Sequence, residues 1–279
     1  MRPFDRWAVG LTVPAVLLTT LFYVLPIAQV LLLSVTEPVT GLGNYEQLLG
    51  SRAVARVVTT TLEVSLWTTA LTIAASYVVA YALVQMRPGV RRVALFMVLV
   101  PFWISVLVRA FSWITILRRE GLVNLAVTGL GLVDEPLQLV HNRTGVIIGM
   151  VHYMMPFAVL LIFANLAGID RRIMQAGRSL GARPMTVFWK LWVPLSAPGI
   201  AVATLFVFIF SLGFLITPAL LGAGRTVMVA EYISVQITNT LRWGVATGLS
   251  TLLLIAVGFV VFIAMRQPAL RAAFSGRQT

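Results

Sequence analysis

Six apolar runs, at residues 7–35, 57–85, 93–117, 144–167, 195–221 and 243–265, leave this chain few ways to fold in water. Each has the roughly 20 residues that a helix rising about 1.5 Å per residue needs to cross a hydrocarbon core about 30 Å thick. In lipid the backbone amides and carbonyls have no water to bind, so such a run must close its own hydrogen bonds as a helix. Composition agrees: hydrophobic residues make up 59% of the chain and charged residues 11%, against about half and about a quarter in soluble domains. The expected fold is all-α and integral to the membrane, with six transmembrane helices in a single domain over residues 1–279. The first run follows Arg2 and Arg6, as a secretory signal would. It is too long for a signal's apolar region and has no small-x-small cleavage site, so a retained helix is expected.

Basic residues set the orientation, because Lys and Arg collect on the cytoplasmic side. With both termini inside, thirteen of the 21 basic residues are cytoplasmic: Arg2, Arg6, Arg87, Arg91, Arg92, Arg171, Arg172, Arg178, Arg183, Lys190, Arg266, Arg271 and Arg277. Only Asp5 and Asp170 accompany them. The outer segments hold Arg52, Arg56, Arg118, Arg119, Arg143, Arg225 and Arg242, mixed with Glu37, Glu46, Glu120, Asp134, Glu135 and Glu231. An N-in, C-in topology is expected. The net charge of +12 sits at membrane flanks, where it suits anionic lipid headgroups and calls for no nucleic acid.

The chain lacks the equipment for chemistry. Its single lysine, Lys190, stands in Trp-Lys-Leu, not in the Gly-Lys-Ser/Thr of a phosphate-binding loop. The absence of Cys excludes disulfides and thiolate metal sites. His141 and His152 lie eleven apart with no Glu-x-x-His spacing, and His152 reads as a packed residue in the fourth run. Ser and Asp occur without a Gly-x-Ser-x-Gly elbow. No catalytic, cofactor-binding or metal residues are expected.

A basic, polar island, DRRIMQAGRSLGARPMTVFWKLWVPLSAPGI, separates the fourth and fifth runs. Asp170 suits a helix N-cap, and Ile173, Ala176, Gly177 and Leu180 recur at helical spacing. Gly181 then stands where a helix C-terminus needs a left-handed residue. Pro184 suits the first turn of a second short helix, MTVFWKLW, which Pro194 and Pro198 are expected to separate from the next run. The expected element is a helix, a Gly-centred turn and a second helix on the cytoplasmic side.

Several residues within the apolar runs are candidates for a translocation path or gate. Arg109 lies where a charge costs about 2.5 to 3.5 kcal/mol at mid-membrane. It either pairs with Glu63 or snorkels outward, or it lines the path. Trp113, with Trp103, Phe111, Phe210 and Phe214, either packs and anchors helices or holds a cation on its ring face. Gly213 and Pro218 are expected to break the fifth helix and form a hinge. Residues 227–237 are too short to span and carry Glu231, with Val229, Ile233 and Ile237 on one face. A partly re-entrant outer segment is expected there.

The island's pattern of Gln175-Ala176-Gly177, Leu180-Gly181-Ala182, Phe188, Val193-Pro194-Leu195 and Pro198-Gly199-Ile200 resembles the coupling loop of the membrane subunits of ABC importers. That family opens the loop with Glu-Ala-Ala, so Gln175 and Gly177 depart from it. The resemblance implies that residues 170–198 meet an ATPase, with Arg171, Arg172, Arg178 and Arg183 supplying charge and Ala176, Gly177 and Gly181 close fit. Without the acid, the contact is expected to depend more on shape and on those arginines. A second set of motifs is similar to the spermidine/putrescine-type permease branch. It comprises Pro101-Phe102-Trp103 through Trp113, Glu120 to Asn124, SLGFLITPALLG at 211–222 with Arg225 to Val229, Gly43-Asn44-Tyr45 and Trp243-Gly244. This similarity implies a permease subunit in the bacterial cytoplasmic (inner) membrane that forms the path for a small solute, a polyamine foremost, with opines, phosphonates or amino-acid-like compounds as alternatives. It implies as partners a second homologous permease in a heterodimer, two ABC ATPase subunits that bind ATP and Mg, and a periplasmic or lipid-anchored solute-binding protein. An ATPase-independent secondary transporter would instead show paired ionisable residues at mid-membrane and inverted repeats; neither is visible.

Overall fold

The computed structural model describes residues 3–267 and 270; Arg2, Arg271 and Arg277 of the charge pattern lie outside them. Among the described residues the ordered elements are all helical. In chain order they begin with α1 (Pro3–Thr19), α2 (Leu25–Thr36), α3 (Gly43–Gly50), α4 (Arg52–Gln85), α5 (Pro88–Leu99), α6 (Val106–Leu117) and α7 (Leu122–Gly129). They continue with α8 (Arg143–Ala167), α9 (Arg171–Ser179), α10 (Pro184–Val187), the single turn α11 (Val193–Leu195), α12 (Ala197–Leu212), α13 (Ile216–Gly222), α14 (Val229–Thr238) and α15 (Trp243–Ala264). Among the described residues four helical stretches are long and apolar enough to cross a membrane, and two bent pairs bring the number to as many as six.

The chain forms two compact units. The first is Met1–Arg56 with Tyr232–Val257. Its span Thr12–Thr36 has a mean hydropathy of 2.2 over its most apolar window. A π-helical turn, Thr20–Val24, joins α1 to α2, and the Leu25 amide reaches back to the Thr20 carbonyl. The widened turn falls directly before Pro26, which has no amide to donate to the preceding turn. Asn44 organises this unit: its Nδ2 donates to the Ser34 carbonyl at 3.0 Å and the Glu37 carbonyl at 2.6 Å. The Ser34 hydroxyl meets the Tyr45 hydroxyl at 2.7 Å. Gly244 is required here, because a Cβ would lie 2.6 Å from Asn44 Nδ2 and overlap the Glu37 carbonyl oxygen.

The second unit is Val57–Glu231 with Gly258–Thr279. Helix α4 buries a run of hydroxyls, Thr60, Thr61, Ser65, Thr68, Thr69, Thr72 and Ser76. Small hydroxyl residues let helices approach closely in lipid, where apolar burial gives no drive. Thr61 and Thr69 donate to carbonyls one turn back, at 2.7 Å each. Thr61 Oγ1 also accepts the Val229 amide at 2.9 Å, and Ser76 donates to the Met155 carbonyl at 3.3 Å. Helix α8 starts on an Asn142 cap that accepts from the Gly145 amide at 2.9 Å. It packs against α12 at Gly199, where a Cβ would lie 2.8 Å from Asn165 Cγ, and against α13 at Gly149, where a Cβ would lie 2.7 Å from Thr217 Cγ2.

Two of the apolar runs are broken, the third unexpectedly and the fifth after Gly213, as its sequence implies. The run 93–117 divides after a 3₁₀ turn, Val100–Trp103, and Pro88–Trp103 and Val106–Gly129 bend by 98°. Pro101 interrupts the hydrogen-bond ladder and Ser105 is extended, with ψ 141°. The run 195–221 is continuous only from Ala197 to Leu212, and α13 follows after Gly213. Pro184–Leu195 and Ala197–Leu212 bend by 60° at Ser196. Pro194 does not separate the second short helix as expected. The π-helical turn Phe188–Trp192 absorbs its missing amide, as the Thr20–Val24 turn does for Pro26, and the Val193 amide reaches the Phe188 carbonyl.

Candidate coupling loop and translocation face

The loop after α8 is built by local signals. Asp170 caps α9, its carboxylate accepting the Arg172 amide at 2.9 Å. The helix ends in a Schellman turn: the Ala182 amide donates to the Gly177 carbonyl at 3.1 Å and the Gly181 amide to the Arg178 carbonyl at 2.9 Å. Gly181 has φ +81°, a conformation costly for any residue with a Cβ. Pro184 then opens α10 with Arg183 extended before it. Gly177 serves packing, since a Cβ there would lie 2.8 Å from Leu191 Cδ1.

Long-range contacts pin this loop. The Arg171 guanidinium donates to the Val84 carbonyl, one of the orphan acceptors in the last turn of α4, where the helix dipole also favours a cation. Met174, Val187 and Trp192 are buried in the core. Tyr81 meets Phe188 and Trp192 edge to face at 5.1 and 5.6 Å, and Ser196 donates to the Tyr77 hydroxyl at 3.1 Å. Tyr77, Val78, Tyr81, Pro184, Met185 and Phe188 border a hollow of about 400 Å³. What the loop leaves outside is distinct: Arg172, Gln175, Ala176, Arg178, Gly181 and Arg183 are exposed and Ala182 is half-buried. Leu180, Met185 and Trp189 are 88%, 67% and 59% exposed. Met185 and Trp189 escaped the sequence reading, although apolar side chains beside arginines on a polar loop are a legible sign of a contact surface.

A second constellation lies on α6, α8 and α12. Arg109 Cζ stands 4.4 Å from the centre of the Tyr153 ring, and its Nε is buried with no hydrogen-bond partner. Glu63 is not its partner: Glu63 pairs with Arg143 at 2.6 Å, both side chains about half exposed. An exposed pair of this kind contributes about 0–1 kcal/mol. Trp113 Nε1–H donates to His152 Nδ1 at 3.1 Å, which assigns the neutral imidazole's proton to Nε2.

Around Tyr153 the rings form a ladder between antiparallel helices. Tyr153 and Phe157 on α8 face Phe206, Phe210 and the following Phe214, each set at i, i+4 spacing. Tyr153 lies 4.7 Å from Phe214 and 6.1 Å from Phe210. Phe157 lies 6.0 Å from Phe210, 5.5 Å from Phe206 and 4.7 Å from Phe102. Trp103 and Phe111, 72% and 56% exposed, have no ring of the ladder among their ring contacts. Phe214 is buried in the break after Gly213, and Pro218 is buried in the first turn of α13.

Glu231 takes the third position of α14, where it accepts the Met228 amide at the helix start. Its Oε2 is buried and unpartnered. Burial pushes this carboxyl above the usual range, and the Met228 hydrogen bond opposes that shift. Among the described residues no cluster of His, Asp and Glu could hold a metal ion.

Residues 8–271 match the family of binding-protein-dependent transport system inner membrane components. The chain belongs to that family, as the membrane-spanning permease subunit of an ABC importer in the bacterial inner membrane. It is 29% identical over 233 residues to the spermidine/putrescine transport system permease protein PotB of Salmonella typhimurium, covering 84% of this chain and 81% of that protein. PotB of Escherichia coli is 28% identical, covering 84% of both chains. In fold it is similar to a chain of the bacterial alginate ABC transporter, with TM-score 0.81 and 17% identity over 95% of this chain and 96% of that one. A chain of the MetNI methionine ABC transporter aligns with TM-score 0.57 and 19% identity, over 78% and 95%.

Proposed function

We propose that this chain forms one half of the translocation path of an importer driven by two ABC ATPase subunits, which bind ATP and Mg, in a heterodimer with a second, homologous permease. Six helices cross the membrane with both termini inside. A periplasmic or lipid-anchored binding protein delivers the solute, and lipids surround the outer faces. The solute is a polyamine such as spermidine or putrescine; the names of the relatives over 84% of the chain support this choice. Opines, phosphonates and amino-acid-like compounds are the competing solutes for the same machine.

The observation that carries the coupling role is the exposed surface of the α9 to α10 turn, with Leu180 at its tip 88% exposed. The loop's own core residues and Arg171 tie that surface to α4, so a push on it moves the helices. Closure of the ATPase dimer would draw two such loops together and rock the permeases open. In this scheme Arg172, Arg178 and Arg183 provide charge, and Gln175, Ala176, Leu180 and Ala182 provide shape. Arg171 belongs to the attachment of the loop.

Gly181→Val tests it. No atom lies within 4 Å of a Cβ at this position, so the change acts through the turn's backbone, at about 1–2 kcal/mol for the left-handed conformation. ATPase association measured by surface binding should weaken about tenfold and uptake should fall with it, while Gly181→Ala loses less. Unchanged association and uptake for Gly181→Val would remove the coupling role from this loop.

A further inference from the structure

Aromatic side chains on membrane helices usually pack together or meet lipid, and Arg109 distinguishes this set from that case. A guanidinium inside a span avoids lipid and faces a bundle interior or a wet cavity. Arg109 lies against the Tyr153 ring with its Nε unpartnered. Helices α4, α6, α8 and α12 hold one acid, Glu63, and Arg143 occupies it. The face that bears the Arg109–Tyr153 stack is therefore the interior face, and it offers a cation no free carboxylate. What it offers is rings: Phe206 and Phe210, on the same ladder, are 36% and 39% exposed.

The spacing of those rings is regular. Phe206 to Phe210 is 5.7 Å, the consequence of one ring per helical turn, and Phe210 to Phe214, across the end of α12, is 5.9 Å. In a linear polyamine, three or four methylenes joined at about 1.5 Å per bond set successive ammonium groups about 5 to 6 Å apart. Each ammonium can meet one ring while the methylenes between them lie on apolar edges.

We propose that the Tyr153, Phe157, Phe206 and Phe210 ladder, which ends on the buried Phe214, is a cation–π register along which an extended polyamine passes, with Arg109 as the resident cation on its Tyr153 rung. This rests on the polyamine reading above. Modest sites in series suit passage, since conduction requires binding weak enough to leave; a carboxylate would hold the chain at one point. Arg109, already seated on Tyr153, limits the site to solutes that enter along the remaining rings.

The test uses the complete importer in liposomes with its binding protein, and spermidine as the probe. Phe210→Leu keeps an apolar side chain and removes the ring; Phe210→Tyr restores a ring; Phe111→Leu removes an exposed ring off the ladder. The expected result is about a tenfold loss of spermidine kcat/KM for Phe210→Leu. Assembly should be retained, Phe210→Tyr should recover, and Phe111→Leu should show no loss. Equal uptake by Phe210→Leu, or equal losses at Phe210 and Phe111, would overturn the ladder while leaving polyamine transport standing. ATP-driven uptake of another solute and none of spermidine by the unaltered importer would overturn the polyamine reading and the ladder together.

Discussion

Gly199→Leu should weaken the packing of α12 on α8. A Cβ at Gly199 already overlaps Asn165 Cβ and lies 2.8 Å from its Cγ, and Leu adds three more carbons. Overpacking a tight interface costs about 1–3 kcal/mol or more, and helix association in lipid depends on such close approach by small residues. The expected outcome is a fall of several degrees in the melting temperature of the purified membrane protein, with poor recovery from membranes. Gly199→Ala should show a smaller fall of the same sign. An unchanged melting temperature for the leucine variant would mean that α8 and α12 do not meet at this point.

Trp189→Ala should separate folding from coupling. The side chain is 59% exposed and touches Phe188 edge to face at 5.2 Å, so its removal should cost the isolated permease little. At an interface, truncating a tryptophan anchor costs about 2 kcal/mol or more, roughly a thirtyfold loss of affinity. The measurement is ATPase binding to the detergent-solubilised permease pair, beside a melting curve of the same sample. Expected is a large fall in binding with a melting temperature within a few degrees of the unaltered protein. Full binding by Trp189→Ala would place the ATPase contact elsewhere on the loop.

What could be read from the sequence divides by range. Asp170, Gly181 and Pro184 act within one turn of themselves, so their roles as cap, left-handed terminus and helix start were legible from spacing alone. The same holds for the break at Gly213. The division at Ser105 was not visible, because apolar composition passes through it unchanged and Pro101 alone does not distinguish a kink from a 98° bend. The two π-helical turns were hidden for a related reason: a proline inside an apolar run signals a missing amide, not how the chain will absorb it.

Contacts between distant segments were the least accessible. Glu63 and Arg109 share a depth in the expected topology, yet Glu63 finds Arg143, eighty positions away in sequence, because depth says nothing of the direction in which a side chain points. Arg171 reads in sequence as one of four charges for an ATPase contact, and its bond to the Val84 carbonyl at the end of α4 is not visible there. The ring ladder lay half in view: Phe206, Phe210 and Phe214 repeat at four-residue spacing, but their partners Tyr153 and Phe157 follow only from the rotation of α8 against α12. Gly177, a departure from the family pattern, is explained by Leu191, which no local rule would bring to it.

Solute uptake into liposomes holding the permease pair, with and without the ATPase subunits, decides whether this chain is a path driven by separate ATPase subunits. Uptake should require the ATPase, hydrolysable ATP and the binding protein, and should stop when the ATPase is left out. Uptake by the permease pair alone, driven by an ion gradient and indifferent to ATP, would contradict it.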